Sequence, residues 1–159
     1  MIAKEDSWLT GSGIMIEFDD MLDAVESYVG QGGKIFIGTD SSIGAKGCTF
    51  VTAVCLHGAP ETHGGRYFFH KARYDISRYK NLKVRIMQEV QSSIEIALHV
   101  IDKNPMSDVE IHLDIGTSER SQTRVYVDEL TGWTQAVGFS CKVKPDAWAS
   151  AAIADRHTK

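Results

Sequence analysis

Two aspartates stand at or near the ends of apolar runs, where a carboxylate is costly to desolvate unless something binds it. Asp40 closes K-I-F-I-G-T-D at 34–40 and is followed directly by Ser41 and Ser42. Asp114 stands near the end of V-E-I-H-L-D-I at 109–115, a run that rhymes with the first. Taken singly, Asp40 is either a turn residue or a ligand, and Asp114 either caps the turn at Gly116-Thr117-Ser118 or does the same. Taken together they say more. Neighbouring strands lie about 5 Å apart, and two carboxylates that close repel unless a cation or a proton sits between them. That is the strongest physical argument in the sequence for a divalent ion. Glu89 and Asp146 are further candidates; the plain alternatives are a rim residue paired with Arg85 or Lys83 for Glu89 and a helix N-cap for Asp146.

The elements that must position these acids can be read from periodicity. Phe18, Met21, Leu22, Val25, Tyr28 and Val29 fall at helical spacing, and Gly30-Gln31-Gly32-Gly33 stops that helix. Residues 1–16 read as irregular, with a turn at Gly11-Ser12-Gly13. Strands are expected at 34–40, 49–56 and 66–73, joined by short turns into an antiparallel meander. The middle run, T-F-V-T-A-V-C-L, is nearly all apolar or β-branched and reads as covered on both faces. A long helix is expected over 79–103, with Ile86, Met87, Val90, Ile94, Ala97, Leu98 and Ile101 on its apolar face. Glu89 lies at the margin of that face, beside Ser93, and Glu95 opposite. The strand at 109–115 follows, so a right-handed crossover sets it parallel to the first strand. His112 within it reads as a satisfied core histidine. A short helix within 118–135, a fifth strand at 136–143 and an Ala-rich helix from Asp146 to about His157 complete the order.

Composition sets outer bounds. The 159 residues suffice for one domain with a sizeable core, read as 1–33 N-terminal extension and helix and 34–159 core. The net charge of −4 gives no global attraction to nucleic acid or anionic membrane, so a polyanion site needs a local basic patch or a metal. Lys71, Arg73, Arg78, Lys80, Lys83 and Arg85 are such a patch, or a solvated helix face; Arg120 and Arg124 follow the Asp114 strand. No stretch is apolar enough to span a bilayer, and no signal peptide is evident. Cys48, Cys55 and Cys141 lack paired spacing, which speaks against a disulfide scaffold or a structural zinc site and fits a cytoplasmic setting.

Four segments together resemble a known superfamily: I-G-T-D-S-S at 37–42, M-Q-E-V-Q-S-S-I-E-I-A-L at 87–98, H-L-D-I-G at 112–116 and K-P-D-A-W-A-S-A-A-I-A-D-R-H at 144–157. In topology and acidic pattern the chain resembles ribonuclease H-like proteins, most of all the small YkuK-like family. The resemblance implies an α/β fold with a five-stranded mixed sheet, three antiparallel strands followed by two parallel to the first, flanked by helices. It implies a D-E-D-D set, with Asp40, Glu89, Asp114 and Asp146 as catalytic residues and metal ligands. Asp40 would bridge two Mg²⁺ or Mn²⁺ ions about 4 Å apart, with Glu89 and Asp114 on one ion and Asp146 on the other. Oxygen donors suit those ions better than zinc. The last segment is similar to resolvases of the RuvC type, although the second aspartate expected three positions on is Ala149 here. Asp155 and His157, some way along the same helix, read as surface or partner groups.

The reading is therefore a metal-dependent nuclease acting on RNA, DNA or a hybrid, with a homodimer open because junction-resolving relatives act as dimers. A catalytically inactive nucleic-acid- or protein-binding module is the alternative, since fold does not imply function. A phosphotransferase of the actin and sugar-kinase type also uses this fold, but pairs two such domains around a nucleotide.

Overall fold

The computed structural model describes residues 7–60, 65–118 and 120–158. In chain order the elements are strands β1 (Trp8–Thr10) and β2 (Met15–Ile16), helix α1 (Phe18–Gly30), and strands β3 (Lys34–Gly44), β4 (Gly47–His57) and β5 (Arg66–Tyr74). Helix α2 (Leu82–Lys103), strand β6 (Val109–His112), helix α3 (Val127–Val137) and strand β7 (Ser140–Lys142) follow. A π-helical segment, Ala149–Ala154, and a single turn, α4 (Asp155–His157), end the described chain.

Among the described residues the sheet has seven strands in the order β2-β1-β5-β4-β3-β6-β7. Its inner part is the expected one: β3 runs antiparallel to β4 and parallel to β6, and β7 is parallel to β6. The expectation of five strands is corrected by β1 and β2, which extend the sheet beyond β5. Thr10 N–H bonds to Ile14 O at 2.8 Å and Gly13, at φ 89°, turns the chain between them. Runs of three and two residues are too short for alternation to show in a sequence. Trp8, fully buried against Phe18, anchors the hairpin.

Boundaries shifted where propensities are ambiguous. Ala136 and Val137 extend α3 instead of opening a strand, because Gly138 takes the left-handed conformation that caps a helix. Helix α2 starts at Leu82, where Asn81 accepts from the N–H groups of Lys83 and Val84. Met87 and Leu98, expected on its apolar face, are exposed, while Glu89, Ser92 and Ser93 are buried.

Two layers cover the sheet. Helices α1, α2 and α3 pack on one face, over Ile35, Ile37, Val54, Leu56 and Ile111. Ala149 and Ala154 pack on the other, over Val51, Ala53 and Cys55. Every residue of β4 from Gly47 to Leu56 is buried as a result. Among the described residues no helix is long and apolar enough to cross a membrane.

Candidate active site

The ladder between β3 and β6 ends at Gly38 and His112. Past that point Leu113 N–H bonds to Lys142 O at 2.9 Å and Lys144 N–H to Ile115 O at 3.0 Å. Residues 113–115 thus follow β7 while β3 continues along β4. The strands part there, and across this gap the carboxyls of Asp40 and Asp114 meet.

Asp40 is buried, and its carboxyl meets the carboxyls of both Asp114 and Asp155. Burial first, then the Asp114 carboxyl and the Glu89 charge, push its pKa up to about 10. Without a cation, this aspartate therefore holds a proton at neutral pH. Glu89 is buried as well; its Oε2 accepts the Ser41 hydroxyl at 2.6 Å, and the Ser41 backbone N–H also favours its charge. Burial nevertheless raises Glu89 to about 8, with Asp114 adding to the rise and Arg85 opposing it. Asp114 Oδ1 is buried and accepts no hydrogen bond of good geometry, although Lys144 Nζ lies 2.9 Å from it as an ion pair. Burial works against the Lys144 ammonium, but Asp114, Asp40 and Glu89 together outweigh it and hold its pKa above the usual lysine range.

Both layers fix this geometry from below. On the α2 side, Thr39 Oγ1 lies 2.9 Å from Thr52 Oγ1 and 2.7 Å from Ser93 Oγ, all buried. Thr39 precedes Asp40, and Ser93 is one helical turn after Glu89, so this hydroxyl string sets the level at which α2 offers Glu89 to Ser41. On the other side the π-helical backbone lies directly on Gly38: a Cβ there would stand 2.4 Å from Ser150 N. His112 Nδ1 accepts the Ala149 N–H at 3.0 Å, so the ring proton is on Nε2, which donates to Glu110 Oε1 at 3.0 Å. Glu110 is tied in turn to Lys34 at 3.4 Å. Burial lowers the His112 pKa despite Glu110, and the ring is the neutral core histidine its sequence position suggests. Ser42 Oγ donates to Thr158 O at 2.9 Å and pins the end of the segment.

Of the acids singled out in the sequence, Asp40, Glu89 and Asp114 come together. Asp146 does not join them: it is exposed in the turn before the π-helical segment, with its N–H bonded to Val143 O. The fourth carboxyl is that of Asp155, expected only as a surface or partner group. It does lie well along the helix from Asp146; the cluster is at the Asp155 end. A signal was present in the small residues. Once Ser150 is seated on Gly38, five further residues at an α-helical rise would advance the chain by about 7.5 Å, comparable to the ~6.6 Å from Gly38 to Asp40 along the strand. His157 stacks on Phe69 with ring centroids 3.8 Å apart and lies 2.8 Å from the Tyr67 hydroxyl.

The cations divide. Lys71, Arg73, Arg78, Arg120 and Arg124 are exposed. Arg78 lies over the rings of Tyr74 and Tyr79. Lys83 pairs with Glu129 at 3.3 Å and not with Glu89, whose nearer cation is Arg85.

A family profile described as "Ribonuclease H-like" matches residues 17–159. The chain belongs to the ribonuclease H-like family. It is also 27% identical to the Bacillus subtilis (strain 168) protein named "Uncharacterized protein YkuK", over 93% of this chain and 94% of that one. In this ribonuclease H-like domain the carboxyls of Asp40, Asp114 and Asp155 gather at the end of β3. Among the described residues, however, no three His, Cys, Asp or Glu side chains are spread as ligands of a single ion; the carboxyls close on one another and on Lys144 instead.

Proposed function

We propose that this chain is a metal-dependent nuclease whose acidic set is Asp40, Glu89, Asp114 and Asp155, the last in place of Asp146. The observation that carries the reading is the burial of Asp40 among other carboxyls at the end of the central strand. Buried carboxyls this close oppose one another's charge, and the protons they hold are what a divalent cation displaces. The donor fit supports the ion: every candidate atom is a carboxylate oxygen, which suits Mg²⁺ or Mn²⁺, and Asp114 Oδ1 is buried without a hydrogen bond. When bound, such ions acidify a water and neutralise charge on the leaving oxygen of a phosphodiester.

The chain's own residues supply the rest. Ser41 ties down the Glu89 carboxyl within electrostatic reach of Asp40 and Asp114. The Thr39–Ser93 contact keeps α2 at the level of Asp40, and the His112–Ala149 bond carries Asp155 to it. Lys71, Arg73, Arg78, Arg120 and Arg124 are exposed cations available to the backbone of a nucleic acid.

The second reading, a binding module without catalysis, is favoured by one observation: Lys144 occupies the flank of Asp114. The two are separated by incubating purified protein with labelled single-stranded RNA, duplex RNA, RNA–DNA hybrid, single-stranded DNA and a four-way junction, in Mg²⁺, Mn²⁺ or EDTA. Cleavage that needs the metal and disappears in Asp40→Asn supports the nuclease. Binding without cleavage, unchanged by EDTA, supports the module.

A further inference from the structure

We infer that Lys144 is a positioning residue of the carboxyl cluster: its ammonium takes a cation's place beside Asp114 and is exchanged for the divalent ion. The inference rests on the metal-dependent reading of the same site and adds to it a built-in competitor.

Three observations carry it. The placement of Lys144 is built into the backbone, because its N–H bonds to Ile115 O at 3.0 Å, next to Asp114. Its Nζ, 2.9 Å from Asp114 Oδ1, is also within electrostatic reach of Asp40 and Glu89, so one ammonium serves three carboxyls. The two partners then differ in exposure: the Lys144 side chain is 47% exposed and that of Asp114 only 15%. The ammonium can therefore swing into water on its long stem and be solvated there. Asp114 Oδ1 has no such recourse, being buried without a hydrogen bond. Loss of the ammonium leaves the Asp114 carboxylate, beside Asp40 and Glu89, without its paired cation, and a divalent ion restores one. Two cations compete for one set of oxygens, and each weakens the other's hold by the same factor.

The test is calorimetric titration of Mn²⁺ alone into metal-free wild type, Lys144→Met, Lys144→Gln, Lys144→Arg and Asp40→Asn, each checked for folding by circular dichroism. Removing the competitor tightens Mn²⁺ binding roughly fivefold in Lys144→Met and Lys144→Gln, the upper end for a part-exposed ion pair. Lys144→Arg keeps the wild-type affinity, because it keeps the charge. In metal-free protein the two neutral variants melt lower than wild type, and Mn²⁺ raises their midpoints by more. Neutral variants that bind Mn²⁺ no tighter than a wild type that does bind it overturn the role of Lys144 and leave the metal-dependent reading standing. No Mn²⁺ binding in wild type or in either neutral variant overturns both. Binding confined to the neutral variants supports the exchange in its strongest form.

Discussion

Ser41 donates its hydroxyl to Glu89 at 2.6 Å, one residue beyond the aspartate whose charge Glu89 opposes. The strand thus supplies both the repulsion and the bond that holds it in check. Ser41→Ala leaves a buried carboxyl oxygen without its donor, a loss of about 1–3 kcal/mol. Denaturant unfolding of the metal-free variant should show that loss, and Ser41→Thr should recover most of it. A Ser41→Ala protein as stable as wild type would mean that Glu89 does not depend on the bond.

Asp155 and Asp146 make opposite predictions. Asp155→Asn removes a carboxyl that meets Asp40 and should reduce Mn²⁺ affinity at least tenfold, with metal-dependent cleavage lost in step. Asp146→Asn changes an exposed turn residue and should stay within about twofold of wild type in both measurements, as surface substitutions usually do. The reverse ranking would restore Asp146 to the site.

The metal-free protein should lose stability as pH rises. Asp40 goes from 3.8 in the unfolded chain to about 10 in the folded one, and Glu89 from 4.5 to about 8. Between those limits the folded chain keeps protons that the unfolded chain has released, so folding weakens with rising pH. His112, lowered from 6.5, acts oppositely and only below that value. The melting midpoint in EDTA should therefore fall from about pH 7 to about pH 9, less steeply in Asp40→Asn, and Mn²⁺ should flatten the wild-type curve. A wild-type midpoint that is level over this range in EDTA contradicts the buried, protonated carboxyl.

Gly38 is where the π-helical backbone touches the sheet. In Gly38→Ala the new Cβ would stand 2.4 Å from Ser150 N and 2.7 Å from Ala149 C, both backbone atoms. The segment has to lift, at about 1–3 kcal/mol for such overpacking, and Asp155 lifts with it. Differential scanning calorimetry should show the lower midpoint, and Mn²⁺ affinity should fall although no ligand has been replaced. Loss of stability with unaltered Mn²⁺ affinity would detach Asp155 from the site.

The parts of the site that could be read in advance share one property: each lies on an element with a clear period. Asp40 ends an apolar strand, Glu89 borders a helix face, and Asp114 repeats the pattern of Asp40, so strand parity and the helical wheel locate all three. Asp155 was harder, because its place depends on how an Ala-rich segment sits on the sheet. Ala-rich helices have little amphipathic contrast, and the seating comes from Gly38 and from the His112–Ala149 bond, between residues far apart in sequence. The N-terminal strands were hidden for a different reason. Trp8 is one buried anchor in a stretch otherwise part-exposed or exposed, and a hairpin held by two ladder pairs has no period to detect. The wheel also placed Met87 and Leu98 inward, whereas α2 turns Ser92 and Ser93 to the interior, where Ser93 bonds Thr39. A buried hydroxyl relay reverses the usual ranking of polar and apolar positions.

The sheet offers little for another strand to join. Among the described residues its two outermost strands are stubs, Met15–Ile16 at one border and Ser140–Lys142 at the other. Where β5 runs on past its pairing with β1, it carries the exposed cations Lys71 and Arg73. Short, charged borders discourage edge-to-edge stacking. Extension of the sheet from one copy of this chain into another is disfavoured by such borders.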